Sequence, residues 1–181
     1  MMKASHIFLR PDIQRNDAHC IIRWLNDCDV TKYLHENRHT AKAVEQALER
    51  CPLPTLTHLF SQDGALFMVC LPGGAPVGFL RLNKRGPVAE IVIVIGEKRQ
   101  WGRGMGTAAV ALALNHAFFT WRMERVIASI HPKNTRSLRA FKTLGFFSNS
   151  ENPACVRLEL TLRQYLDQLE EEREEQAIIG K

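Results

Sequence analysis

Gly102, Gly104 and Gly106, interleaved with Arg103 and Met105 and followed by Thr107, stand between an unbroken apolar run, Ile91 to Ile95, and a helix-forming stretch, Ala108 to Phe119. Strand, glycine-rich turn, helix is an order that binds anions. The first N–H groups of a helix lack intrahelical acceptors, the helix dipole adds positive charge there, and glycine lets a ligand approach the backbone closely. The chemistry read from these residues is therefore the holding of a phosphate or pyrophosphate. The spacing G-x-G-x-G fits neither the dinucleotide pattern G-x-G-x-x-G nor the P-loop, which needs a Lys before its Ser or Thr. A second literal pattern, His35-Glu36-Asn37-Arg38-His39, matches H-E-x-x-H. Zinc would need both His on one helix face and a third ligand, but the helix is predicted to begin only at Thr40, so no metal site is expected.

The rest of the chain must be large enough to position such a turn. Its 181 residues, 45% hydrophobic and 24% charged, suit one globular domain with an ordinary core. Cys20, Cys28, Cys51, Cys70 and Cys155 are odd in number and scattered, which fits reduced thiols and a cytoplasmic setting. The opening residues are too polar for a signal peptide, and no apolar stretch approaches the roughly 18 residues that span a bilayer. From Arg163 onward three basic residues face six acidic ones, leaving 21 basic against 13 acidic before that point. Such a surplus attracts a phosphorylated ligand. The cations are spread rather than interleaved with aromatics, which argues against nucleic acid as the partner.

Periodicity places the elements. Ile7 and Leu9 alternate in a short strand ended by Pro11. Asp17 is expected to cap a helix carrying Ile21, Ile22, Trp24 and Leu25, and Thr40 a second one stopped by Pro52. Leu66–Leu71 and Pro76–Leu82 form a hairpin through PGGA, and Val88–Ile95 is a strand apolar enough to be buried on both faces. After the glycine turn and its helix come a strand at Arg125–Ile130, a helix capped by Asn134 or Thr135 and ended by Gly145, and two closing strands. Residues 1–162 are expected to form the domain and residues 163–181 an acidic helical tail.

Three segments, in this order, resemble the GNAT superfamily of acyl-CoA-dependent N-acetyltransferases: LRPDIQRNDAHCIIRWLNDCDVTKYL, VAEIVIVIGEKRQWGRGMGTAAV and IHPKNTRSLRAFKTLGF. The likeness is to the RimJ/RimL and spermidine-acetyltransferase branch. It implies an α/β (α+β) GNAT fold: a mixed, mostly antiparallel sheet of about six to seven strands, splayed between its fourth and fifth, with about four flanking helices. It also implies acetyl-CoA as cosubstrate. Backbone groups of Ile93, Val94 and Ile95 would hold the pantetheine arm, the N–H groups of Gly102, Arg103, Gly104, Met105, Gly106 and Thr107 the pyrophosphate, and Asn134 the cofactor chain.

Acetyl transfer needs a neutral amine, a nitrogen oriented on the thioester and a stabilised oxyanion. By resemblance, Glu90 would be the base and the Val94 N–H the oxyanion donor, while the loop holding Tyr33, His35, Glu36 and Arg38 would read the acceptor. His131 is expected to be structural rather than a second base. The chain departs from the family pattern twice. Trp101 stands where Gln or Arg is usual, and Phe141 stands where many members have the Tyr that protonates the leaving thiolate. The acceptor would be an amine-bearing small molecule (polyamine, amino sugar or antibiotic) or a protein N-terminus, and a homodimer is compatible with the tail. The alternative is a non-catalytic CoA-binding sensor or scaffold.

Overall fold

The computed structural model describes residues 7–34, 39–148 and 154–179. Seven strands form one mixed sheet in the order β1-β2-β3-β4-β5-β7-β6. They are β1 (Phe8–Arg10), β2 (Gly64–Cys70), β3 (Pro76–Arg85), β4 (Val88–Ile95), β5 (Arg125–Ile130), β6 (Phe147–Ser148) and β7 (Val156–Thr161). Every pairing is antiparallel except β4 with β5, which is parallel. A parallel pair needs a crossover, and the glycine turn and following helix supply it.

The helices are α1 (Arg15–Asn26), α2 (Cys28–Thr31), α3 (His39–Arg50), α4 (Thr57–Phe60), α5 (Met105–Asn115), α6 (Thr135–Thr143) and α7 (Leu162–Ile179). The four expected flanking helices are α1, α3, α5 and α6. Three starts differ from expectation: α3 begins at His39 rather than after Thr40, α5 at Met105 rather than Ala108, and α1 at Arg15, so Asp17 lies inside its first turn. There it accepts the Gln14 N–H at 2.8 Å and pairs with Arg10 at 2.8 Å, which accounts for a carboxylate buried to 3% exposure.

Alternation along the strands divides the sheet into two faces. On one, Ala89 and Ile91 of β4 join Leu80, Leu82, Val126, Ala128, Leu158 and Leu160 against α5. Ala109 and Ala113 let that helix lie close to the strands, and Phe118, Phe141 and Tyr165 complete the layer. On the other face, Val94, Phe79, Leu66 and Met68 pack under Ile21, Trp24 and Leu25 of α1. Burying one such Leu, Ile or Phe contributes about 1.5–3 kcal/mol.

Packing against the body continues past residue 162. Tyr165 of α7 stacks on Phe118 at 5.1 Å, and its hydroxyl donates to Asn115 Oδ1 at 3.2 Å. The Gln168 side chain lies where a β-carbon on Gly145 would go. The first turns of α7 are therefore docked on the body, and the acidic residues from Glu170 to Glu175 follow on exposed turns.

Candidate functional site

The feature that organises the site is where β4 and β5 stop pairing. Their parallel ladder holds only Val88↔Arg125, Ala89↔Val126 and Glu90↔Ile127, although β4 continues to Ile95 and β5 to Ile130. Beyond Glu90 the two strands splay. The direction of each backbone group follows from the antiparallel register, because successive residues of a strand bond to opposite neighbours. Lys84 N–H donates to Asp63 O and Gly96 N–H to Val77 O, which turns Glu90, Val92 and Val94 toward β3. Ile91, Ile93 and Ile95 are thereby turned toward the gap. Val94 differs from them: its N–H faces Phe79 and its side chain is buried under α1. The half-buried state of Val92, Ile93 and Ile95, in a strand expected to be covered on both sides, has the same cause.

The glycine turn sits at the mouth of this gap. A 3-10 turn at Lys98–Gln100 leads into it, and Gly102 and Gly104 both adopt φ of +77°, a left-handed backbone that side chains strain. Gly104 is the N-cap of α5, and the first intrahelical bond runs from Ala108 N–H to Gly104 O. The N–H groups of Met105, Gly106 and Thr107 thus have no acceptor within the helix. Its first turn carries no acid, and Arg103 is exposed beside it. The position of a β-carbon on Gly106 lies 3.8 Å from Ile95 Cγ1, so these donors start where β4 ends. The cradle fits a pyrophosphate whose attached chain enters the gap.

Trp101 fixes the cradle to its surroundings. Its indole Nε1–H donates to Ile95 O at 2.6 Å, and the Arg136 guanidinium lies over the ring at 4.3 Å. Arg136 opens α6 next to Asn134, whose Oδ1 caps the helix by accepting the Ser137 N–H at 3.2 Å. Capping uses only the oxygen, so the Asn134 amide N–H groups can also serve a ligand. Sequence reasoning missed Arg136; its place two residues after Asn134 was the available signal.

At the other end of the gap, Glu90 is held on both oxygens. Arg85 Nη2 pairs with Oε2 at 3.0 Å, and Ser129 Oγ donates to Oε1 at 3.3 Å. Glu90 and Ser129 therefore bridge the two splaying strands on the face covered by α1. Tyr33, on the loop after α2, tilts against His131 with ring centroids 5.2 Å apart. His131 Nδ1 accepts the Lys133 N–H at 3.1 Å, which leaves Nε2 as the ring nitrogen without that bond. His35, Glu36 and Arg38 lie outside the described residues. Phe141 is buried with its ring edge-on to Phe146, and brings no hydroxyl.

The end of β4 is clamped to the α1–α2 side. Glu97 accepts from Trp24 Nε1 at 3.1 Å and pairs with Arg23 at 2.5 Å, while Lys98 bridges Asp27 and Asp29 at 2.9 Å. Hydrogen bonding to Asp29 and Asp27 raises the Lys98 ammonium above its ordinary pKa, and Lys98 in turn holds Asp27 below the usual carboxylate range. A cavity of about 300 Å³ opens on the same sheet face, between α1, α3 and α4 above and β2 and β3 below. Ile21, Val44, Phe60 and Phe79 line it, with Arg81 and Asn83, and Asn83 is the β3 partner of Glu90.

Comparison with known proteins agrees with this architecture. Residues 6–147 match the acetyltransferase (GNAT) domain family. An uncharacterized N-acetyltransferase, p20, of Bacillus licheniformis is 24% identical over 137 residues, covering 74% of this chain and 75% of that protein. Spermidine N(1)-acetyltransferase of Escherichia coli is 24% identical over 178 residues, 92% of this chain and 91% of that one. Among solved structures, spermidine N-acetyltransferase from Vibrio cholerae, in complex with CoA and spermine, superposes with a TM-score of 0.74 at 17% identity, over 89% of this chain and 98% of that one. Among the described residues no helix is long and apolar enough to cross a membrane.

Proposed function

The chain belongs to the acetyltransferase (GNAT) family, and on that premise we propose that it moves the acetyl group of acetyl-CoA to a primary amine by direct attack in a ternary complex. The observation that carries the reading is the gap beyond Glu90 and Ile127, with unpaired β4 backbone groups on one wall and the α5 N-terminus at its mouth. CoA bound to the related Vibrio cholerae enzyme supports it. Acetyl-CoA supplies an activated thioester carbonyl; this chain's residues hold it and manage the protons.

The N–H groups of residues 102–107 and the Arg103 side chain hold the pyrophosphate, and the Asn134 amide steadies the chain leading away from it. Ile93, with both backbone groups turned into the gap, bonds the pantetheine amides, and its N–H takes the oxyanion role that the β3 ladder denies to Val94. Ile95 contributes its N–H alone, since its carbonyl is taken by Trp101.

Glu90 receives the amine proton at the apex of the gap, with Ser129 ordering the incoming nitrogen from β5. The thiolate leaves without a tyrosine acid. Thiols ionise near pH 8.5, so a free thiolate taking its proton from water is a tolerable leaving group.

A cavity of about 300 Å³ suits a small-molecule amine better than an open peptide cleft. The test is free CoA released from acetyl-CoA in the presence of small amines and of N-terminal peptides. Release with small amines supports the reading, and tight CoA binding with no release for any amine overturns it.

A further inference from the structure

We infer that the acceptor is a monoamine with an apolar body, the amine meeting Glu90 and the body filling the cavity under α3. This deepens the transferase reading and rests on it. The cavity of about 300 Å³ lies on the sheet face that carries Glu90, and Asn83 on its floor is the direct β3 partner of Glu90. Directly opposed residues stand about 5 Å apart, so a chain seated in the cavity can present its terminal nitrogen to the carboxylate. The space follows from residue size. Positions 40, 43, 44 and 47 share one face of α3, at i, i+3, i+4 and i+7, and two of them, Ala43 and Ala47, carry only a methyl group. Val44, Ile21, Phe60 and Phe79 complete an apolar surround.

That surround decides how many charges the acceptor carries. The reacting ammonium gives its proton to Glu90 and enters the chemistry neutral. A second ammonium, carried into the cavity, would lie against alkyl and phenyl walls, and burying an unpaired charge is far more costly than burying a methyl group in its place. Asp63, the one acid among the described lining residues, is exposed at the rim, where an ion pair contributes little. An apolar chain instead gains with each methylene removed from water. The walls therefore favour length without a second charge.

The experiment compares propylamine, hexylamine, 1,6-diaminohexane and spermidine as acceptors, by CoA release with saturating acetyl-CoA. Binding of each is read separately by the shift of the unfolding midpoint in the presence of CoA. Each buried methylene gives roughly a fourfold gain, so hexylamine should exceed propylamine by at least about tenfold in kcat/KM. It should exceed 1,6-diaminohexane and spermidine, which match or surpass its length, by a similar factor. Ala47→Leu keeps a good helix former and fills the space, and should remove most of hexylamine's advantage over propylamine through KM. Ala43 is exposed at the wall, so Ala43→Glu sets a carboxylate there without disturbing the core. That variant should raise the rate with 1,6-diaminohexane relative to hexylamine, and Ala43→Gln, of equal size, should not. Preference of the unaltered protein for the diamine or spermidine, or a diamine rate that Ala43→Glu does not raise, overturns the inference. So does a hexylamine advantage that survives Ala47→Leu. Hexylamine binding that Ala47→Leu weakens, without CoA release from any amine, upholds the site and contradicts the transferase reading instead. Neither binding nor release with hexylamine overturns the site.

Discussion

Glu90 and Ile127 are the last residues that β4 and β5 pair, and from the next residue onward the parallel strands run apart. This places a carboxylate at the apex of an opening whose far end is the N-terminus of α5. One register break thus separates the Glu90 carboxylate from the helix N-terminus at the other end of the gap.

If Glu90 accepts the amine proton, Glu90→Gln should lower kcat by about 10²–10⁴-fold and leave CoA affinity unaltered. Steady-state kinetics, with CoA binding by calorimetry, make the comparison; an unchanged kcat removes Glu90 from the proton transfer.

The left-handed backbone at Gly104 has a measurable cost for any side chain. Gly104→Ala places a β-carbon at φ of +77°, and about 1–2 kcal/mol of stability should be lost. Because the strain falls on the N-cap of α5, CoA affinity should fall as well. Urea unfolding and CoA titration read the two effects, and retention of both would show that the turn does not depend on this geometry.

Trp101→Phe keeps a ring for Arg136 to cover but removes the donor to Ile95 O. A loss of about 1 kcal/mol in urea unfolding is expected, with weaker CoA binding because the freed carbonyl perturbs the mouth of the gap. Unchanged CoA affinity would confine Trp101 to a structural role.

His116 gives the fold a pH dependence. Burial, and secondarily the Lys84 charge, depress its pKa below the ordinary 6.5. The unfolded chain therefore binds a proton that the folded chain resists. The corresponding stability is fully present above pH 6.5 and is lost as pH falls from there through the lower folded value. The urea midpoint should drop between pH 7 and pH 5, and His116→Gln should flatten that drop; an equal slope in the variant would assign the dependence elsewhere.

Much of this site was legible because its signals are local. The apolar run of β4, the glycines of the turn and the cap at Asn134 each follow from neighbouring residues, and their order carried the family resemblance. What escaped depends on partners distant in sequence. The direction of the Val94 N–H is set by register against β3, not by its own apolar character. The docking of α7 rests on Tyr165 meeting Phe118 and Gln168 filling the space at Gly145. Tyr33 was expected to face an acceptor; its contact with His131 depends on two loops, after α2 and after β5, that only the folded sheet brings together. The cavity at Arg81 left no trace in the sequence, because α1, α3, α4 and two strands contribute to it.

Delivery of acetyl groups from acetyl-CoA to amines is read by mass spectrometry of the amine with simultaneous titration of free thiol. One acetylated amine is expected for each CoA released, and loss of both in step in Glu90→Gln. CoA bound tightly with no acetylated amine formed, across small amines and peptides alike, would contradict it.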